Sequence, residues 1–170
     1  HVPDLAAAGR VGVLSDAADV AGLECAPLRP DPLMLIVPRG HALAGVRRLT
    51  LADALAHPFL GLHEASALQA MITAQARRLQ AGWDYRMRLG SLEAVSRMVA
   101  LGAGVAVVPR AVAEREARAS GLRRVPLADG WAARTLLLAA PSFGALPPAT
   151  ARLAKFLIDA TSGAVAPERR

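Results

Sequence analysis

The chain has 170 residues, of which 54% are hydrophobic and 20% charged, a composition typical of a folded globular protein rather than a disordered one. No hydrophobic run reaches the roughly 18 residues that a membrane-spanning helix needs, and the single cysteine, Cys25, excludes an internal disulfide and favours a reducing cytoplasm. The net charge of +6 raises the question of nucleic acid, but the arginines are scattered without interleaved aromatic residues, which favours solvated faces over a nucleic-acid groove.

The first part of the chain predicts two strands, a short helix and a third strand. Val11–Leu14 is a short apolar run followed by a polar loop, and Leu33–Val37 is a continuous apolar run that ends at a proline. A strand that is apolar on both faces usually lies inside a covered sheet. Thr50, with Asp53 three residues later, forms a variant of the capping box at the start of a helix, and Phe59–Leu62 follows as a strand.

The middle of the chain alternates between helix and strand. Ser66 is placed to cap a helix that Gly82 ends, and Ser91 is placed to cap a second helix that leads to an apolar strand at Val105–Val108. Between the two helices, residues 83–89 alternate strictly between apolar and charged, which predicts a half-exposed strand. Its apolar face would hold Trp83, Tyr85, Met87 and Leu89, and its polar face Asp84, Arg86 and Arg88.

The last part of the chain predicts two helices and two strands. Residues 111–120 form a helix that ends at Gly121, and the segments LRRVPL and ARTLLLAAP supply the two strands. Residues 147–160 form the final helix. Its buried face is predicted as Leu153, Phe156, Leu157 and Ala160. The βαβα order of the middle of the chain predicts an α/β fold with a parallel sheet.

The chain offers few groups for catalysis. Its four histidines form no metal-binding doublet, and it has no nucleophile elbow, Walker loop or dinucleotide fingerprint. His63 and Glu64 stand beside Ser66, but residues so close together in a loop point in different directions and do not favour a catalytic triad. We therefore predict no catalytic residue, no metal and no cofactor, and a site that binds a ligand without reacting with it.

A strand, a polar loop with a serine and then a helix recur three times, at Ser15–Asp16, at Ser66 and at Ser91. In an open parallel sheet the carboxyl ends of the strands share one edge, where helix N-termini present free N–H groups and positive dipole ends. Such an edge would hold a small anionic or polar ligand through backbone amides and serine hydroxyls. The alternative is plain N-capping, which stabilises each helix by about 1 kcal/mol, and the residues alone leave both interpretations open.

The order of these motifs resembles that of LysR-type transcriptional regulators. The run SDAADVAGLECAPLRPDPLMLIVPRGHALAG resembles the family's segment that ends in a P-x-x-H-x-L phrase, here Pro38–Leu43. LTLADALAHPFLGL resembles the short helix and strand that follow it, and LGSLEAVSRMVALGAGVAVVPR resembles the family's helix, glycine, strand and proline signature. The resemblance extends from about Val11 to Ile158, and its last motif is the most specific.

The resemblance implies the effector-binding half of such a regulator, with the fold of type 2 periplasmic binding proteins. In that fold two α/β subdomains are joined by two crossover strands, which we expect near Arg39 and Trp131. Residues 1–39 and 132–164 would form subdomain I, residues 40–131 subdomain II and residues 165–170 a tail. Family members also carry a first strand, helix and strand of subdomain I, a linker helix and a winged helix-turn-helix. None of these is in this sequence, so we expect subdomain I to lack its N-terminal part.

The resemblance also implies a site and a set of partners. The ligand-binding residues would be Ser15 and Asp16 on one wall of a cleft, and Ser66, Gly90, Ser91 and Leu92 on the other. The implied partners are a small-molecule effector, further copies of the chain in a homodimer or homotetramer, DNA through the absent helix-turn-helix domain, and RNA polymerase. No membrane partner is implied, and the expected location is the cytoplasm.

Two functions from other classes compete with a regulator. A solute-binding protein of a transport system has the same fold, but the LGAGVAVVPR and PRGHAL phrases fit the regulator better. A small α/β enzyme is disfavoured because the sequence shows no base and nucleophile pair and no metal constellation. His1 is not an initiator methionine, so we expect the gene to encode upstream sequence, and an export signal or a helix-turn-helix there would separate the first two functions.

Overall fold

The computed structural model describes residues 10–79 and 85–162 of the chain. The strands are β1 (Gly12–Ser15), β2 (Glu24–Pro30), β3 (Leu33–Val37), β4 (Phe59–Leu62), β5 (Tyr85–Leu89), β6 (Ala106–Pro109), β7 (Arg123–Pro126) and β8 (Thr135–Ala140). The α-helices are α1 (Leu51–Leu55), α2 (Ala67–Arg78), α3 (Leu92–Ala100), α4 (Arg110–Ser120) and α5 (Pro148–Ser162). Short 3-10 helices span Ala42–Gly45, Gly130–Ala132 and Phe143–Ala145.

The chain divides into two compact units. The terminal unit comprises His1–Asp31 and Ala133–Arg170, and the middle unit comprises Pro32–Ala132. The division expected from the sequence, at residue 39, falls after β3, whereas β3 belongs to the middle unit. The predicted tail, residues 165–170, and the predicted positions of Gly82, Trp83 and Asp84 lie outside the described residues.

The terminal unit is an antiparallel sheet with one helix packed on it. β8 lies between β1 and β2 and pairs antiparallel with both. Leu138 and Ala140 alternate along β8 and so point to the same face, where α5 packs with Ala154 buried. The buried core of this unit consists of Leu28, Leu138, Ala140, Leu146 and Ala154.

A buried ion pair closes the end of this sheet. Arg134 Nη2 donates to the carboxylate of Asp31, and the two side chains are only 9% and 7% exposed. Arg134 Nε also donates to the Asp31 carbonyl at 3.0 Å, and the Asp31 N–H donates to the Arg134 carbonyl at 2.8 Å. The pair therefore clamps the end of β2 to the start of β8, next to the two points where the chain passes to the middle unit.

The middle unit is built on a mixed set of strands. β4 and β5 are parallel, as the βαβα order predicts, but β3 pairs antiparallel with both β6 and β7. The sequence predicts no direction for β3, and this strand runs opposite to both of its neighbours. Leu60 N–H donates to the Val105 carbonyl at 2.8 Å and Val105 N–H to the Pro58 carbonyl at 2.9 Å, which joins β4 alongside β6.

Gly104 permits this junction between β4 and β6. Its φ is +159°, and a Cβ at this position would overlap the Pro58 carbonyl that accepts from Val105. A residue without a side chain is needed where two backbones approach so closely.

Helices cover both faces of the middle unit's strands. One buried cluster contains Leu35 of β3 with α1 and Ile72 of α2, and the other contains Ile36 with Val95 of α3 and Ala113 of α4. The neighbours Leu35 and Ile36 point to opposite faces, and both are fully buried. This confirms the prediction that Leu33–Val37 is a strand inside a covered sheet.

The predicted capping residues are in place at four helix ends, whereas α2 ends at Arg78, before the predicted Gly82. Thr50 and Asp53 form a reciprocal capping box on α1, and Ser66 and Ser91 cap α2 and α3. Gly121 follows α4 with a φ of +66°, the left-handed conformation expected of a glycine at a helix C-terminus.

Two predictions at the level of elements were wrong. No helix follows Ser15, because the chain turns there and continues into β2, a strand that the periodicity of the sequence does not reveal. The buried face of α5 is formed by Ala151, Ala154, Leu157 and Ile158. Of the four residues predicted for that face, Leu157 packs against the core, whereas Leu153, Phe156 and Ala160 are exposed.

The strict alternation predicted for β5 was also wrong. Phe59 pairs with Tyr85, but the next residue of β4, Leu60, pairs with Met87, so Arg86 is an extra residue in the ladder. A bulge of this kind reverses the side to which the following residues point. Tyr85 and Arg88 consequently come to the same face, and Met87 is 38% exposed.

The buried ion pair gives a test of the terminal unit. Replacing Asp31 with asparagine leaves the buried Arg134 charge without its counter-ion, and we expect a loss of roughly 3–5 kcal/mol in the free energy of unfolding. Asp159→Asn breaks the exposed pair of Asp159 with Lys155, which are 2.9 Å apart, and should cost less than about 1 kcal/mol. Urea unfolding measures both, and equal losses would mean that the Asp31–Arg134 pair is not buried.

His41 gives a test based on pH. Its Nδ1 accepts from the Leu43 N–H at 3.2 Å, and its ring lies edge-on to His57 with the ring centres 4.7 Å apart. Burial lowers the pKa of His41, and the neighbouring His57 lowers it further. Neutral His41 therefore contributes to the free energy of unfolding above about pH 6.5. This contribution is lost as the pH falls through the folded pKa, because the unfolded chain takes up the proton at a higher pH than the folded chain.

His41→Asn keeps a capping acceptor but does not titrate. We expect the variant to lose less stability than the original chain between about pH 7.5 and about pH 5 in urea unfolding. An equal or larger loss in the variant would contradict the assignment to His41.

Candidate ligand-binding site

Two helix N-termini meet at one edge of the middle unit. α2 follows β4 and α3 follows β5, and since these strands are parallel and adjacent, both helices start at the same end. His63 N–H donates to the Leu89 carbonyl at 3.2 Å, which extends the pairing beyond the last residues of the strands. His63 Nε2 lies 3.7 Å from where a Cβ of Gly90 would be, so the loops after β4 and β5 are in contact.

The two serines cap these helices as predicted. Ser66 Oγ accepts from the Gln69 N–H at 3.4 Å, and Ser91 Oγ accepts from the Ala94 N–H at 3.1 Å. Ser91 is exposed and Ser66 is half-buried. In any helix the first-turn amides lack a carbonyl acceptor within the helix, so two sets of such amides lie at this edge. The capping role is confirmed, and contact with a ligand stays a prediction.

Gly90 and Leu92 flank the Ser91 cap in different environments. Gly90 is exposed, whereas Leu92 is half-buried and packs against the cluster that contains Val95. Leu92 also lines a narrow crevice with Leu68 and Gln69, of about 10 Å³, room for a single water molecule. The structure therefore brings together four of the predicted site residues, namely Ser66, Gly90, Ser91 and Leu92.

Ser15 and Asp16 belong to the terminal unit, where their polar atoms organise a turn. Asp16 Oδ2 accepts from the Thr135 N–H at 2.9 Å, and the Asp16 N–H donates to the Thr135 carbonyl at 2.9 Å. Ser15 Oγ accepts from the Ala17 N–H at 3.3 Å. These bonds tie the end of β1 to the start of β8, and a ligand role for the two residues stays a prediction.

An arginine that the sequence motifs did not indicate lies on the strand that leads to the second cap. Arg88 Nη1 and Glu64 Oε1 form an ion pair of 2.6 Å, and the Arg88 guanidinium carbon lies 4.6 Å from the centre of the Tyr85 ring. The predicted alternation places Arg88 on the solvated face opposite Tyr85, and only the bulge at Arg86 brings the two together. No signal in the sequence identifies that bulge.

Tyr85 is held by a buried glutamine. Gln69 is 2% exposed, its Nε2 donates to the Tyr85 hydroxyl, and its Oε1 accepts from the Leu62 N–H at 2.8 Å. Gly61 makes this arrangement fit, because a Cβ there would overlap both Gln69 Oε1 and the Tyr85 ring. Burial raises the pKa of Tyr85, so its hydroxyl stays protonated at neutral pH.

An acidic residue also lies in the first turn of α3. The carboxylate of Glu93 accepts from its own backbone N–H and from Arg115 of α4, whose Nη2 is 2.8 Å away, and these bonds lower the pKa of Glu93. Glu93 therefore places a carboxylate in the first turn of α3, and its charge is partly offset by Arg115.

The described ranges, 10–79 and 85–162, contain no group of three or more histidine, cysteine or acidic side chains that could hold a metal ion. Within the same ranges no helix has both the length and the hydropathy needed to cross a membrane.

Comparison with known proteins identifies relatives among bacterial regulators. Over 152 residues the chain is 26% identical to the uncharacterized HTH-type transcriptional regulator YnfL of Escherichia coli K12. Over 112 residues it is 27% identical to the hydrogen peroxide-inducible genes activator of Pectobacterium carotovorum. These alignments cover 88% and 66% of this chain, but only 50% and 37% of the two relatives. The matched part of the chain thus spans half the length of YnfL and 37% of the length of the Pectobacterium activator.

Solved structures share the fold. The regulatory domain of CcmR from Synechocystis PCC6803, in complex with 2-PG, superposes with a TM-score of 0.78 at 22% identity, covering 89% of this chain and 73% of that one. The effector-binding domain of QuiR in complex with shikimate gives a TM-score of 0.72 at 16% identity, covering 90% and 72%. At these identities the likeness shows the fold, which is that of type 2 periplasmic binding proteins.

The family described as the LysR substrate binding domain matches residues 6–162, nearly the whole chain. The family is one of transcriptional regulators rather than enzymes. Together with the order of strands, capped helices and signature motifs, this match shows that the chain belongs to the family of LysR substrate-binding domains.

Proposed function

We propose that the chain senses a small anionic or polar metabolite and thereby controls DNA binding by the helix-turn-helix domain of a longer regulator. The observation that carries the proposal is the meeting of two serine-capped helix N-termini beside parallel strands in a LysR substrate-binding domain. Helix N-termini attract negative charge through their free amides and dipoles.

The proposed ligand contacts are made by the loops after β4 and β5. Ser66 and Ser91 would offer hydroxyls, and the backbone of Gly90 and Leu92 would offer amides. Gly90 has no side chain that could cover its amide. Ser15 and Asp16 in the terminal unit are part of the same proposal. Support for the ligand class comes from the related structures, since CcmR is described with 2-PG and QuiR with shikimate.

The relatives favour a regulator over a solute-binding protein of a transport system. Both curated relatives are named as regulators of transcription. We accordingly propose the cytoplasm as the location, with DNA reached through a helix-turn-helix domain and RNA polymerase as a further partner of the whole protein.

We also propose that the chain assembles into a homodimer or homotetramer. The outer face of α2 carries the exposed alanines Ala67, Ala70 and Ala74, while Ile72 and Ala76 on its other face are buried. Small exposed side chains let a second helix approach closely.

Two substitutions of Ser91 distinguish a capping role from a role in binding the ligand. Ser91→Asp keeps a good cap on α3 but places a negative charge where an anionic group would bind. We expect the fold to persist and the affinity to fall tenfold or more, because about 1.4 kcal/mol of repulsion suffices. Ser91→Ala should cost about 1 kcal/mol of stability through loss of the cap.

The measurement is calorimetric titration with a metabolite found by a thermal-shift screen that includes 2-PG and shikimate. Ala149→Asp adds the same charge to an exposed position in the first turn of α5 and should leave the affinity unchanged. Unchanged affinity in Ser91→Asp would reduce Ser91 to a structural cap and refute the proposed site.

Assembly is tested by sedimentation. We expect the chain to sediment as a dimer or larger at tens of micromolar, and Ala70→Glu to shift it toward monomer by placing a charge on the alanine face of α2. Arg97→Glu changes an exposed position on α3 and should not shift the distribution. A monomer at all concentrations for the original chain would count against the proposal.

A further inference from the structure

We propose that Arg88 is the residue that selects anionic effectors at the proposed site, and that Glu64 is an internal counter-ion which the effector's oxyanion group displaces. This inference rests on the proposed function, because it assigns the charge preference of the same edge. Neither Arg88 nor Glu64 is part of a sequence motif or of a helix cap.

Arg88 lies close to the two helix N-termini. It is the residue of β5 opposite Gly61, and Leu89 and Gly90 separate it from the cap of α3 at Ser91. Its partner Glu64 lies in the loop that leads to Ser66, the cap of α2. The guanidinium is therefore bonded to the loop that leads to one cap, and its strand leads to the other cap. Of the Arg88 side chain, 32% is exposed.

Tyr85 and the residues that hold it fix the position of Arg88, and their contacts do not involve Glu64. The guanidinium stacks over the Tyr85 ring, and the Tyr85 hydroxyl is bonded to buried Gln69. Tyr85 also packs edge-on against Phe59, with ring centres 5.8 Å apart. An arginine held on an aromatic face keeps its planar donors directed outward even when its acidic partner leaves.

Glu64 is suited to being displaced. Its side chain is 83% exposed and belongs to a loop, so its bond to Arg88 is an exposed ion pair of the kind that adds little stability. A carboxylate, sulfate or phosphate group offers Arg88 the same oxygen acceptors and can in addition accept from the amides at the helix N-termini. A neutral ligand gains nothing from displacing Glu64, and a cationic ligand is repelled by Arg88.

The charged groups nearby do not provide the same function. Glu93 in the first turn of α3 pairs with Arg115, and His63 packs against Gly90 in the contact between the two loops. Among these groups Arg88 alone combines a positive charge with a fixed stacking partner.

The test uses sulfate as the probe and the complete 170-residue chain. Sodium sulfate is titrated at constant ionic strength while the side-chain Nε–H signal of Arg88 and the amide signals of Ser66 and Ser91 are followed by NMR. Acetate titrated in the same way reports whether a single carboxylate is accepted in place of a sulfate.

We expect Glu64→Gln to bind sulfate about threefold more tightly, because the competitor is removed. Arg88→Gln should bind it about tenfold or more weakly, through loss of a charge-assisted contact. Arg88→Lys keeps the charge without the planar stacking and should fall between Arg88→Gln and the original chain. Lys155→Gln and Asp159→Asn make the same changes of net charge at an exposed pair of the terminal unit and should leave sulfate binding unchanged.

Failure of this inference is distinguishable from failure of the proposed function. Three outcomes would each overturn the role of Arg88 and Glu64. Glu64→Gln could bind sulfate with the same affinity as the original chain, or it could bind no sulfate. Arg88→Gln could bind sulfate with the same affinity as the original chain. Loss of metabolite affinity in Ser91→Asp would still support the proposed site in each of these cases. The amide spectrum of each variant shows whether it is folded.

Discussion

The parallel pairing of β4 with β5 is the constraint on which the candidate site depends. Helices that follow adjacent parallel strands must begin at the same end of the sheet, so Ser66 and Ser91 lie at the same edge. The hydrogen bond from His63 to Leu89 extends the pairing into the loops and sets their separation. β4 is joined on its other side to Val105, through a backbone approach that requires Gly104. The edge is therefore anchored from both sides of β4.

A single extra residue in β5 decides the electrostatics of that edge. Because Arg86 has no counterpart in β4, Tyr85 and Arg88 lie on the same face instead of opposite faces. The buried Gln69 satisfies its polar atoms with Leu62 and Tyr85, and thereby turns a polar group in the core into a support for the aromatic ring. Gly61 leaves the space that this support occupies. A local irregularity in one ladder thus places the Arg88 guanidinium over Tyr85, on the strand that leads to the cap of α3.

The terminal unit depends on a different kind of interaction. Its sheet has three strands and one described covering helix, and the buried pair of Asp31 and Arg134 closes the end at which the chain leaves. Buried charges cost free energy unless they are paired and fully hydrogen-bonded, and here Arg134 also donates to the Asp31 carbonyl. Both residues flank a passage between the units, so the clamp keeps the two passing segments side by side within this sheet.

The amino-acid sequence is sufficient to predict the features that depend on local chemistry. Thr50, Ser66 and Ser91 cap their helices because a side-chain oxygen can reach an amide two or three residues away in any surrounding, and the apolar run of β3 predicts burial on both faces. The order of these motifs was enough to indicate the family. Long-range pairing and packing set the antiparallel direction of β3, the strand β2, the buried face of α5 and the bulge that places Arg88 on Tyr85. Each of these depends on which distant segment lies alongside, and a pattern of apolar and polar residues along one segment carries no record of its neighbours.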